Sequence, residues 1–271
     1  MGEQIVERLL RSEDILAAFE LSARAGWNQT EDDWRRLVEL APESCWAIEI
    51  DGGLAATTTL LCYGRRLGWI GMVLTGQEYR HRGLARRLLT KALEQADHMG
   101  IETVKLDATD EGRPLYEQFG FRYEQEIERW LRAGDDAQLL PSHTNPEEAW
   151  HDSDSLVFGA DRSQLLGKLA QRGFPVSRSQ SYLFARKGRV TAHLGPCVSK
   201  DSAMPRFLVQ QATQDAHCGW SWDLLPRNRA ASAIARDLGF SPQRQLARMA
   251  RGKDLRGKDD LIYAIAGFEL G

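Results

Sequence analysis

The sequence predicts a layered α/β chain in which one strand-and-helix module occurs twice. Three observations carry this. Strand-like runs alternate with amphipathic helices along the chain, a Pro-, Gly- and Asn-rich lapse divides it, and the same unit closes each half. In the first half that unit is Asp107, twelve residues, then Gly120-Phe121; in the second it is Asp223, fifteen residues, then Gly239-Phe240. Each Gly-Phe ends a helix and leads into a last strand. At 271 residues there is room for two domains of roughly 100–150 residues each. The expected division is a first domain over 1–132, a linker over 133–155 and a second domain over 156–271.

Residues 4–10 read as a strand. Ser12 then stands as the N-cap of a helix built on Ile15, Leu16 and Phe19 and ending near Gly26. Thr30 caps a second helix, 31–40, that stops before Pro42. Strands follow at 45–50, 54–62 and 68–75, the first two joined by Asp51-Gly52-Gly53, a hairpin signal. Leu84, Leu88, Leu89, Leu93 and Ala96 share one face of a long helix closed by Gly100. A strand at 103–107, a short helix at 112–119 and a strand at 121–131 complete the half. Between Ala133 and Ser155 the pattern lapses, with Gly134, Asp135, Asp136, Pro141, Ser142, Asn145 and Pro146 clustered there. The second half resumes with helices near 161–171, 203–217 and 228–238. Its strands are expected at 181–186, 190–198, 220–224, 245–251 and 261–270.

Composition excludes several classes. Apolar residues at 42% and eight Trp supply a core, so the chain is not disordered. Basic residues (35) are outnumbered by acidic ones (38), which argues against nucleic acid as the partner. Cys45, Cys62, Cys197 and Cys218 form no CxxC and have no His at ligand spacing, so no metal site is expected. His143, His151, His193 and His217 sit in no motif. The first residues carry charges inside their only apolar stretch, unlike a signal peptide, and Val6 stands where an N-myristoylation signal needs Ser or Thr. No run reaches about 18 apolar residues, the length of a membrane span. A cytoplasmic protein without a membrane partner is the expectation.

The chemistry concentrates in residues 69–89. A strand runs into a turn, and the turn opens directly into a helix beginning at Gly83 and Ala85. Unpaired N–H groups at a helix start carry the positive end of the helix dipole, and small residues let a diphosphate approach them. Arg80 and Arg82 add charge. No GxxxxGK[ST] or GxGxxG occurs in the segment, so this is a phosphate cradle of another kind.

Arg80-x-x-Gly83-x-Ala85 after an apolar strand resembles the acetyl-CoA signature Q/R-x-x-G-x-G/A of the GNAT N-acetyltransferase superfamily. Val73-Leu74-Thr75 is similar to the strand before that loop, and Tyr116-Glu117-Gln118-Phe119-Gly120-Phe121 to the Y-E-K-x-G-F element. The resemblance covers residues 4–132. With Gly26-Trp27-Asn28, the whole chain resembles a bacterial subgroup whose catalytic domain precedes a degenerate GNAT-like one. It implies tandem domains, each a mixed, mostly antiparallel sheet flanked by helices. It also implies acetyl-CoA as co-substrate, no metal, and transfer to a primary amine by direct attack through a tetrahedral intermediate. The acceptor would be a small molecule.

Residue by residue, the resemblance implies that the main chain of Val73, Leu74 and Thr75 takes the pantetheine arm as an added strand. One N–H there holds the oxyanion. Arg80, His81, Arg82, Gly83, Leu84 and Ala85 cradle the pyrophosphate; Arg86 and Arg87 reach the outer phosphates or face solvent. Tyr116 returns a proton to the departing thiolate, the alternative being a core aromatic whose hydroxyl caps a strand. Trp27 and Asn28 line the acceptor pocket, or Trp27 fills the core.

Two departures stand out. Residues 68–75 contain no Asp or Glu to act as general base, leaving Glu49, Asp51, Asp107 or Asp110 through water. Thr109-Asp110 replaces an Asn that contacts the cofactor in the family. In the second half, Ala235 falls opposite Tyr116 and Pro205 lies where the cradle would be, so no second acetyl-CoA site is expected. The rival to an enzyme is a non-catalytic acyl-CoA sensor, which the missing base allows.

Overall fold

The structure, a computed structural model, describes residues 2–134, 150–214 and 218–271. Most of the expected linker, with His143, and His217 lie outside the described residues. The chain forms two compact units: residues 1–106 with 251–253, and residues 107–250 with 254–271.

The first unit contains β1 (Ile5–Leu9), α1 (Ile15–Arg24), α2 (Glu31–Leu40), β2 (Cys45–Ile50), β3 (Gly53–Tyr63), β4 (Leu67–Thr75), α3 (Leu84–His98) and the start of β5 (Thr103–Ala108). Its strands run β1-β2-β3-β4-β5, antiparallel except for β4 and β5, which are parallel. Leu84, Leu88, Leu89, Ala92, Leu93 and Ala96 of α3 are buried, and the helix packs on β3 and β4. The hairpin turn has Asp51 and Gly52 at φ 49° and 83°, the left-handed pair that a two-residue turn requires. Thr30 caps α2: its hydroxyl accepts the Asp33 N–H (3.3 Å), while Asp33 accepts the Thr30 N–H (2.8 Å). Ser12 is not a cap. It opens a single 3-10 turn, and Asp14 takes the Arg11 N–H (2.8 Å) instead, held by Arg8.

The second unit holds the end of β5, α4 (Arg113–Gln118), β6 (Arg122–Arg132), α5 (Trp150–Phe158), α6 (Ser163–Arg172), β7 (Phe174–Arg178), β8 (Ser181–Arg186), β9 (Ala192–Val198), α7 (Met204–Thr213), β10 (Trp220–Leu224), α8 (Arg229–Asp237), most of β11 (Ser241–Gly252) and β12 (Ile262–Ala264). The strand order is β11-β6-β10-β9-β8-β7, with β12 on β9. Trp130, Leu194, Leu208, Trp220, Trp222 and Phe240 are among its core residues. Helix α5 begins inside the expected linker, β7 is an additional strand, and only three residues of the last expected strand pair.

The compact units are cut at other points than the two sequence halves, because the halves trade their last strands. β6 closes the first half, yet it lies between β10 and β11 of the second unit. The end of β11 returns to the first unit, where Lys253 N–H donates to Glu102 O (3.0 Å) and Thr103 Oγ1 to Lys253 O (2.8 Å). Gly252 at φ 101° permits that approach, since a Cβ there would lie 2.2 Å from Glu102 O.

Two equivalent buried pairs lock the exchange. Arg248 on β11 grips Asp107 on β5 with two bonds (2.9 and 3.0 Å), and Arg129 on β6 grips Asp223 on β10 (2.7 and 2.6 Å). Each Arg follows its Gly-Phe glycine by nine residues, so the two pairs are one interaction made twice.

Candidate active site

The site begins with a bulge. The register between β3 and β4 shifts between Thr57 and Thr59, leaving Met72 and Val73 without partners on β3. Met72 sits at φ 49°, and the Thr57 hydroxyl donates to its carbonyl (2.8 Å). A bulge bends and twists its strand. On the other side, β4 pairs with β5 only at Leu67↔Thr103, Gly68↔Val104 and Trp69↔Lys105.

Gly76 N–H donates to Ala55 O (2.9 Å), which sets the alternation along the end of β4. Leu74 faces β3, and the peptide groups of Val73 and Thr75 are turned the other way. Thr75 Oγ1 is buried and has no hydrogen-bond partner among the described residues. A buried hydroxyl left unpaired costs about 1–3 kcal/mol, a cost that a polar group bound at this end of β4 would relieve.

The cradle follows. His81 and Gly83 both adopt left-handed φ (60° and 76°), turning the chain sharply into α3. Gly83 is the N-cap without a side-chain cap, no acidic residue lies in the first turn, and a Cβ on Gly83 would meet open space. Arg87 N–H is bonded to Gly83 O (3.1 Å), so the N–H groups of Leu84, Ala85 and Arg86 precede the first helical acceptor. Leu84 is buried; Arg80, His81, Arg82, Gly83 and Arg86 are exposed. These features fit an anionic, strand-like cofactor.

The basic side chains are more occupied than the sequence indicates. Arg82 makes a two-pronged pair with Glu3 and lies over the Tyr79 ring (5.7 Å); Arg87 and Lys91 both reach Glu7. The Arg82 guanidinium holds the Glu3 carboxyl below its ordinary range. What Arg82 offers the cradle is therefore its main chain.

Trp27 and Asn28 are half-buried in the loop between α1 and α2. Gly26 (φ 77°) ends α1, and Trp27 N–H closes it on Ser22 O (3.0 Å). The Ser22 hydroxyl also takes Trp34 Nε1 (3.1 Å), tying α2 to the same turn. Tyr116 belongs to the other compact unit, on α4. It is buried edge-on to Phe121 (6.1 Å), and its hydroxyl has no partner among the described residues. Burial pushes the phenol above its ordinary value, so it stays protonated at neutral pH.

Of the candidate bases, Glu49 is held by Arg8 (3.0 and 2.9 Å), Asp51 takes the Gln4 N–H (2.9 Å) and Asp107 is committed to Arg248. Asp110 is exposed; neighbouring Thr109 closes the turn into α4, taking the Gly112 N–H (3.1 Å). Among the described residues no three His, Cys, Asp or Glu group as metal ligands, and no helix is long and apolar enough to cross a membrane. Sequence reasoning missed Arg129 and Arg248. Their equal spacing from Gly120 and Gly239 was the available signal.

A strand that parts from its parallel neighbour, then bulges and runs into an uncapped helix start, defines an α/β class with room for an anionic, strand-like ligand. Comparison with known proteins narrows the class. Residues 12–121 match the acetyltransferase (GNAT) family, and residues 151–264 match a second acetyltransferase (GNAT) domain. The uncharacterised N-acetyltransferase YitH of Bacillus subtilis is 28% identical over 177 residues, 61% of this chain and 61% of that protein's length. A Pyrococcus horikoshii crystal structure carrying an acetyltransferase assignment matches with TM-score 0.87 at 18% identity, over 98% of this chain and 96% of that one. A tandem GNAT protein from the clavulanic acid biosynthesis pathway matches with TM-score 0.63 at 15% identity, over 93% and 100%. The chain belongs to the GNAT acetyltransferase family and carries two such domains in tandem.

Proposed function

We propose that the protein transfers an acetyl group from acetyl-CoA to the primary amine of a small molecule, with residues 1–132 as the catalytic copy. One observation carries the reading: β4 parts from β5 after three residue pairs and ends beside an uncapped helix start. Acetyl-CoA, when bound, supplies an acetyl group activated as a thioester. The main chain of Val73, Leu74 and Thr75 holds the arm as a further strand, and an N–H of this strand steadies the oxyanion. The N–H groups from Arg82 to Arg86 take the pyrophosphate, with Arg80 adding positive charge. Trp27 and Asn28 shape the acceptor side. Tyr116 gives its proton to the departing thiolate.

With Glu49 and Asp107 held by arginines, proton removal from the amine passes to water. No nucleic acid or membrane enters the reading.

The test measures coenzyme A release across an amine panel, alongside acetyl-CoA affinity. Tyr116→Phe is expected to lower turnover by about 10²-fold or more with affinity within about twofold. Equal loss of both would remove the acid role. Tight binding with no release for any amine would favour an acyl-CoA sensor.

A further inference from the structure

We propose that in the second copy the place of the cofactor arm is taken by the chain's own strand β12, so that the protein carries one acyl-CoA site and not two. The number of cofactor sites rests on the acetyltransferase reading; the occupant of the second slot does not.

The second copy repeats the geometry that opens the first. β9 and β10 run parallel for three residue pairs, Ala192↔Trp220, His193↔Ser221 and Leu194↔Trp222, and then their pairing stops. In the gap lies β12. On the β9 side Ile262 pairs with Val198 and Ala264 with Cys197, and Ser199 N–H donates to Leu261 O (3.1 Å). On the β10 side Ile265 N–H donates to Asp223 O (3.0 Å), and Trp222 Nε1 donates to Tyr263 O (2.8 Å). The peptide groups a strand-like ligand would use are already bonded. Asn228 at the start of α8 pins the segment with bonds to Asp260 O (3.1 Å) and Ile262 O (2.9 Å). Gly195 lets it lie close, since a Cβ there would fall 2.0 Å from Ile265 O.

The phosphate end is filled in kind. Asp201 Oδ1 accepts the Ala203 N–H (2.9 Å) just before α7, putting a carboxylate where the first copy leaves its helix start bare. Pro205 in the first turn has no N–H to offer. Ile262, Tyr263, Ala264 and Ile265 are all buried, so displacing β12 would expose four side chains and break bonds on both sides.

The experiment is native-state hydrogen exchange on the full chain with and without coenzyme A, together with calorimetric titration by coenzyme A. The amides of Ile265 and Ser199 are expected to exchange within about tenfold of those of β10, unchanged by coenzyme A, with saturation at one equivalent. Faster exchange at Ile265 on adding coenzyme A, or a second bound equivalent, would overturn the proposal. If coenzyme A does not bind at all, the acetyltransferase reading fails. The amides then decide alone: protection like that of β10 upholds β12 as the occupant, and free exchange refutes it.

Discussion

The two copies share a scaffold and differ in what it is offered to. In both, a parallel strand pair parts after three residue pairs. In both, a helix ends on a left-handed glycine, Gly120 at φ 83° and Gly239 at φ 82°. The following Phe N–H then returns five residues, Phe121 to Tyr116 O (3.2 Å) and Phe240 to Ala235 O (2.9 Å). That register makes Ala235 the structural counterpart of Tyr116. Among the differences are the positions proposed to meet a ligand: Tyr116 against Ala235, Gly83 against Asp201 and Pro205, and the end of β4 against a slot filled by β12. Packing and chain geometry hold the shared scaffold together whether or not a ligand is present, whereas a cradle and an acid are proposed for the first copy alone.

The locks that hold the exchanged strands should give the largest effect, and they test whether the copies are truly reciprocal. Arg248→Met leaves Asp107, fully buried, without a partner, and Arg129→Met does the same to Asp223. Each should cost about 3–5 kcal/mol in urea denaturation. Arg248→Met should be the worse, because Arg248 is more buried than Arg129 (6% against 15% exposed). The double variant Asp107→Leu with Arg248→Met should recover most of the loss, since an apolar pair removes the stranded charge. Loss from one lock and none from the other would break the symmetry.

A smaller effect is expected from giving the second copy the residue it lacks. Ala235 is fully buried, so Ala235→Tyr overpacks the core at a cost of about 1–3 kcal/mol. Placed in the Tyr116→Phe background, it should restore no coenzyme A release, because β12 and Pro205 still close that copy. Recovered turnover would mean that the second slot is open to acyl-CoA.

Much of the first unit was legible because its signals are local. The Thr30 cap, Gly100 and Asp51-Gly52 act within a few residues, and the elements they bound match the structure closely. Strand β7 escaped because its hairpin turn, Ser179-Gln180, takes φ 52° and 61° without the Asn or Gly that marks such a turn. The strand exchange escaped for a different reason. Its locks join residues 141 and 94 positions apart, and no local pattern distinguishes a last strand that folds back from one that crosses over. The signature around Arg80 and Gly83 was readable because a helix start is a local object. The side chains' engagement with Glu3 and Glu7 was not, since those partners lie 79 and 80 positions away.

The mildest test separates the copies by pH. His193 on β9 pairs with Ser221, two residues before Asp223; in the first copy Trp69 pairs with Lys105, two residues before Asp107. Where the first copy has an apolar ring, the second has a titratable one. His193 Nδ1 lies 3.2 Å from Ser221 Oγ, while Nε2 is buried with no hydrogen-bond partner among the described residues. Burial first, then the charges of Arg186 and Arg129, hold its pKa well below the ordinary value. The unfolded chain takes up a proton below about pH 6.5 that the folded one refuses. Stability should therefore fall as pH drops below about 6.5, by up to about 1.4 kcal/mol per pH unit for this one group. Carboxylates held low by arginines, Asp14 and Asp97, add their losses only below about pH 4, outside that window. Urea midpoints measured from about pH 7 to 5 should slope in the parent and flatten in His193→Gln. An unchanged slope in the variant would place the sensitivity elsewhere and remove this difference between the copies.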